Sequence, residues 1–177
     1  MINNIDTVTI AEGTEWETTV YDVRRVTQWS MRQNVAHSEP QRIIFWHHSV
    51  YDVKSLSLVD QLNWLRNTIT HGTYGWPYNF LVWPHESSCD IWYLNDVDHA
   101  WPHTYGHNGD TAICAHGNYD EDVPPVHLVD AMWKLSQALC VMWGEVLPIK
   151  GHRQVYATAC PGKYLFGELV EKLSPTL

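Results

Sequence analysis

From Leu58 onward, apolar residues return at spacings of three and four (Leu58, Leu62, Leu65 and Ile69) until His71-Gly72 breaks the rhythm. That spacing predicts an amphipathic helix with one face toward a core and Ser57 or Ser55 as its N-cap. A longer stripe follows Pro124-Pro125, in which Val126, Val129, Met132, Trp133, Leu135, Leu139 and Met142 share one face and Gly144 ends the pattern. Proline at the start and glycine just past the end mark a helix at both limits. A third helix is expected from Pro161, carrying Leu165, Leu169, Val170 and Leu173 inward. Between these stripes lie runs of branched and aromatic residues that predict strands: Arg42 to Trp46, Tyr78 to Trp83, Ile91 to Leu94, Thr111 to His116, and a short one around Val146 to Ile149. Before them the pattern is weak. Thr18-Thr19-Val20 with Tyr21 hints at one short strand, so residues 1–40 read as an uncertain lead-in packed on or next to a domain spanning 41–177. Strands and helices mixed in this order predict an α/β fold, a single sheet covered by helices.

The chain has 177 residues, 45% of them apolar and 18% charged, enough to bury one substantial core. A formal net charge of −9 and only 11 Lys plus Arg argue against a nucleic-acid partner, which needs clustered cations. The same acidity gives no pull toward an anionic membrane or polymer, so any such partner would have to be held by shape and hydrogen bonds. No uninterrupted 18-residue apolar stretch occurs. Met1 to Glu15 lacks the charged and apolar regions of a secretory signal, from which synthesis in the cytoplasm is expected, with action on its target after release. Four cysteines, Cys89, Cys114, Cys140 and Cys160, are too few and too scattered for a disulfide framework and are expected reduced, in a monomer.

Eleven histidines invite a search for metal ligands. His152 and Cys160 lie too far apart for a zinc-finger knuckle, so residues 153–159 must loop back if both are to hold one ion. His47, delivered by the end of a strand, is the best third ligand. His48 is its rival, but successive strand residues point to opposite faces, so only one of the pair can face the metal. Two imidazoles and a thiolate leave a zinc ion net positive with an open position, enough to bring a bound water toward a pKa of roughly 7. Pro161 as the first helical residue would place Cys160 at a helix cap, where the positive end of the dipole favours a thiolate.

Four blocks carry a family resemblance: Ile43-Ile44-Phe45-Trp46-His47-His48-Ser49; Tyr78-Asn79-Phe80-Leu81-Val82; His103-Thr104-Tyr105-Gly106-His107-Asn108 with Gly117-Asn118-Tyr119; and Gly151-His152-Arg153 through Thr158-Ala159-Cys160-Pro161-Gly162. Together they resemble the zinc-dependent N-acetylmuramoyl-L-alanine amidases of the type-2 group, which includes phage endolysins and animal peptidoglycan recognition proteins. The resemblance implies a mixed sheet with helices on both faces and one Zn2+ per chain on His47, His152 and Cys160. It also implies a catalytic Tyr78, Thr158 facing the same centre, and hydrolysis of the amide between N-acetylmuramic acid and L-alanine in peptidoglycan. The non-catalytic alternative within the family is peptidoglycan recognition. His103 and Asn108 match a groove-lining segment and are candidate substrate contacts, while Trp76, Trp83, Trp92 and Trp101 are rings that could stack on sugars or pack as core. The chain departs from the family between Trp83 and Asp96, where an arginine usual in relatives is missing.

Overall fold

The computed structural model describes residues 5–24, 43–53, 55–68 and 76–174. The stretch 33–41, Arg42, and the Ile69 and His71-Gly72 end of the first helical stripe lie outside them. Among the described residues, seven strands form one sheet in the order β1-β2-β5-β4-β6-β3-β7: β1 (Asp6–Ile10), β2 (Thr18–Asp22), β3 (Ile44–His48), β4 (Phe80–Pro84), β5 (Cys89–Tyr93), β6 (Thr111–Ala115) and β7 (Ile149–Gly151). The centre is parallel, with β4 beside β6, β6 beside β3 and β3 beside β7, whereas β1 pairs β2 and β4 pairs β5 in the antiparallel sense. Every residue of β3, β4 and β6 is buried, which is why those runs are apolar without alternation.

Among the described residues, three helices cover both faces: α1 (Leu58–Thr68), α2 (Val126–Trp143) and α3 (Lys163–Leu173). On one side Ile44, Trp46, Phe80, Val82, Ile113 and Ala115 share a core with Leu128, Met132, Leu135 and Leu139 of α2 and Leu165 and Leu169 of α3. On the other, Leu81, Trp83, Trp92 and Cys114 pack with Leu62 and Leu65 of α1 and with Trp76. The expected mixed α/β sheet flanked on both faces is thus present.

The helix ends follow the sequence signals at two places and depart at a third. Ser57 Oγ accepts the Asp60 N–H (3.3 Å) and caps α1. Gly144, at φ 68, closes α2 and donates its N–H to the carbonyls of Cys140 and Val141. Helix α3, however, starts at Lys163 rather than at Pro161. Gly162 stands before it at φ +91, pressed so closely on the Tyr119 backbone that a Cβ would lie 2.3 Å from the Tyr119 carbonyl carbon. That contact holds residues 160–162 out of helical geometry. Strand β7 likewise runs later than the Val146 to Ile149 pattern implied, and residues 5–24 supply two strands, with β2 joined to the rest of the sheet through β5.

Candidate metal centre

His47 is the fourth residue of β3, at register with Cys114 of the neighbouring β6. Strand alternation divides the two adjacent imidazoles as the pleat requires. His48 turns to the face where its Nδ1 accepts the Tyr119 N–H (3.1 Å), and His47 turns to the other. His152 follows the end of β7 and opens a single 3-10 turn, His152–Gln154. The chain then loops back, and Arg153 donates its N–H to the Cys160 carbonyl (2.9 Å), which brings the ends of the loop together.

One possible ligand atom from each of His47, His152 and Cys160 falls in a group whose members all lie within 4.8 Å of one another. Cys160 Sγ is 3.4 Å from His47 Nδ1, and the His47 and His152 rings have centroids 4.7 Å apart. His152 Nε2 is buried with no hydrogen-bond partner. A buried ring nitrogen left unpaired beside a second imidazole and a thiol fits a tetrahedral cation taking nitrogen and sulfur, and zinc is the ion that donor set suits best.

Burial lowers the pKa of His47 well below 6.5, with help from His103, His152 and His48, and burial lowers that of His152 as well. Both rings are therefore neutral and available as ligands near pH 7. Cys160 is governed by its surroundings differently from what a helix cap implies. Burial pushes its thiol up to about 12; the His48 N–H and Arg153 act the other way and Asp120 adds to the rise. Because α3 begins three residues later, no helix end offsets that burial, and a bound cation would have to supply the charge that makes the thiolate.

Tyr78 lies just before β4 with its ring 5.0 Å from that of His47. Burial first, then the thiols of Cys114 and Cys160, raises its phenol well above 10, so it stays a neutral hydrogen-bond donor. Thr158 sits in the loop and its Oγ1 accepts the Cys160 N–H (3.2 Å), holding the turn that presents the sulfur. His103 is only 6% exposed, with Nδ1 2.9 Å from Thr104 Oγ1 and Nε2 2.8 Å from the Asp110 carbonyl. Asn108 is exposed, and its Oδ1 accepts the Thr104 N–H (3.3 Å).

Trp76, Trp83, Trp92 and Trp101 face inward. Trp83 and Trp92 are fully buried, Trp101 donates its Nε1–H to the Asp96 carbonyl, and Trp76 donates its own to the Leu65 carbonyl while packing near Tyr51, Trp64 and Tyr78. The rings left in solvent beside the centre are tyrosines instead. Tyr156 stacks on His152 (5.8 Å) and Tyr105, 84% exposed, lies 6.4 Å beyond it. Two residues near the centre were given no role by the sequence: Cys114, whose thiol lies beside the Tyr78 phenol, and Thr104, whose Oγ1 lies 3.4 Å from His47 Nε2. Only the pairing of β3 with β6 and the path of the 101–110 loop bring them there.

No protein-family model matches the chain, and no curated protein matches it. Solved structures do. The N-acetylmuramoyl-L-alanine amidase LysC from Clostridium intestinale is 23% identical, with a TM-score of 0.57 over 75% of this chain and 85% of that one. Drosophila peptidoglycan recognition protein SD is 20% identical, with a TM-score of 0.68 over 88% and 95%. A mutant of Drosophila peptidoglycan recognition protein LB, in complex with tracheal cytotoxin, is 21% identical, with a TM-score of 0.71 over 89% and 96%. The fold is the one these amidases and recognition proteins share.

Proposed function

We propose that this chain is a zinc-dependent amidase of peptidoglycan, cleaving the bond between the lactyl carbonyl of N-acetylmuramic acid and the L-alanine nitrogen. The observation that carries the reading is the gathering of His47, His152 and Cys160 at a point where His152 Nε2 is left without a partner. The folds of an amidase and of peptidoglycan recognition proteins, two of the latter bound to a peptidoglycan fragment, support the substrate class. A zinc ion held by the three residues would polarise the amide carbonyl and acidify a water, the chemistry a hydrolysis needs.

The protein's own groups then have distinct tasks. His47 and His152, neutral by burial, offer lone pairs; Cys160 offers an anion once its proton is displaced. Tyr78 keeps its proton, so it serves as a donor: its phenol can hydrogen-bond the oxygen on which charge develops when the carbonyl becomes tetrahedral. Thr158 acts on the loop, fixing the Cys160 N–H, and brings no positive charge of its own. The exposed rings of Tyr105 and Tyr156 on the rim of the site are suited to lie against a sugar face, a role the buried tryptophans cannot take.

The second reading is recognition without hydrolysis, favoured by the higher TM-scores to recognition proteins. Digestion separates the two. Purified peptidoglycan incubated with the zinc-loaded protein should yield new L-alanine amino termini, abolished by a chelator and restored by added zinc. Zinc binding and wall binding without new termini would replace the amidase reading with recognition.

A further inference from the structure

His47 contributes one nitrogen to the candidate metal centre, and the other nitrogen is not idle. Beyond it runs a chain of contacts within the 101–110 loop: His47 Nε2 to Thr104 Oγ1 at 3.4 Å, Thr104 Oγ1 to His103 Nδ1 at 2.9 Å, and His103 Nε2 to the Asp110 carbonyl oxygen at 2.8 Å. All three side chains are buried. We propose that Thr104 and His103 form a hydrogen-bonded relay, anchored on the Asp110 carbonyl, that fixes the tautomer of His47 and turns its Nδ1 lone pair toward Cys160 and His152.

The direction of every bond follows from the far end. A carbonyl oxygen only accepts, so His103 Nε2 must carry the proton there. A neutral imidazole has one N–H, so His103 Nδ1 is a bare lone pair and must receive the Thr104 hydroxyl proton. With that proton committed, Thr104 Oγ1 faces His47 with a lone pair, and His47 Nε2 must be the N–H. What remains on His47 is an unprotonated Nδ1, the atom 3.4 Å from Cys160 Sγ. In the opposite tautomer Nδ1 would carry hydrogen where a cation belongs, and Nε2 would meet Thr104 with no proton between them.

The loop is built to keep this chain in place. Asn108 Oδ1 accepts the Thr104 N–H (3.3 Å), the Asn108 carbonyl accepts the Trp101 N–H (2.8 Å), and Asp110 Oδ1 accepts the N–H of Ile43, the residue just before β3 (3.0 Å). The strand that carries His47 and the loop that orients it are therefore joined at both ends of the relay. Thr104 and His103 are positioning residues. They act on the metal through His47, and His103 has no free ring nitrogen with which to meet a substrate.

The inference rests on the zinc reading of the centre, and the test keeps the two apart. Nitrogen-15 NMR of the metal-free protein should report His47 with its proton on Nε2 and Nδ1 bare. Thr104→Val, which keeps the shape and removes the hydroxyl, should mix the two tautomers and weaken binding of zinc alone about 10- to 100-fold in a chelator competition. Thr104→Ser should restore both, which loss of packing cannot explain. The relay is overturned if His47 is protonated on Nδ1, or if Thr104→Val leaves both the tautomer and the zinc affinity within twofold of the parent. If the parent binds no zinc but shows the Nε2–H tautomer that Thr104→Val disturbs, the relay stands and the metal reading fails.

Discussion

Strip the protein of divalent metal and follow the alkylation of Cys160 by iodoacetamide as pH rises. Burial pushes this thiol to about 12 from its ordinary 9.0, and no helix end counters the shift, because α3 starts at Lys163. At pH 8 an ordinary thiol is roughly one-tenth thiolate, whereas one near 12 is thiolate in about one molecule in ten thousand. Alkylation follows the thiolate, so Cys160 should react about a thousandfold more slowly than a free cysteine. Peptide mass spectrometry separates it from Cys89, Cys114 and Cys140. The logarithm of its rate should climb one unit per pH unit from 7 to 10 without levelling. The sign for stability follows from the raised folded value: the contribution of Cys160 to the metal-free fold is intact below pH 9 and is lost as pH rises through about 12. Zinc should stop alkylation across the whole range while displacing about one proton per chain. A rate that levels at pH 9 or below would mean instead that the fold prepares the thiolate before any cation arrives.

Three further outcomes are expected. Tyr78→Phe should retain one zinc per chain yet lower release of L-alanine termini by about 10²-fold or more, and an unchanged rate would remove the phenol from the reaction. Gly162→Ala sets a methyl 2.3 Å from the Tyr119 carbonyl carbon at φ +91; backbone strain alone should cost about 1–3 kcal/mol in urea unfolding, and a neutral result would mean that residues 160–162 are not pinned there. Ser136→Ala removes the acceptor of the Trp46 Nε1–H (3.0 Å) and strands a buried donor, for an expected loss of about 1–3 kcal/mol with zinc binding unaffected; no loss in thermal unfolding would mean that water or another group takes the proton.

Three parts of the fold were legible along the chain because each depends on spacing alone. The stripe from Val126 to Met142 became α2, and Gly144 ended it in the left-handed conformation that glycine adopts freely. The unbroken run into Trp46 became a central parallel strand, and alternation was enough to separate His47 from His48. The meeting of His47, His152 and Cys160 was legible from the motifs that carry them. Their surroundings were not. Whether Cys160 caps a helix depends on Gly162 touching Tyr119, a contact across about forty positions of sequence. Trp83 and Trp92 gave no sign of which face they would take, and both filled the core under α1.

Local order in the chain determined which segments become helices and strands and on which side of β3 His47 lies, since turn spacing and pleat alternation are properties of neighbouring residues. The raised thiol of Cys160, the raised phenol of Tyr78 and the hydrogen-bond contacts around His47 were decided only when distant segments packed together. Burial and hydrogen bonding belong to the packed neighbourhood of an atom, and in this protein that neighbourhood is assembled from β3, β6, the 101–110 loop and the turn after His152.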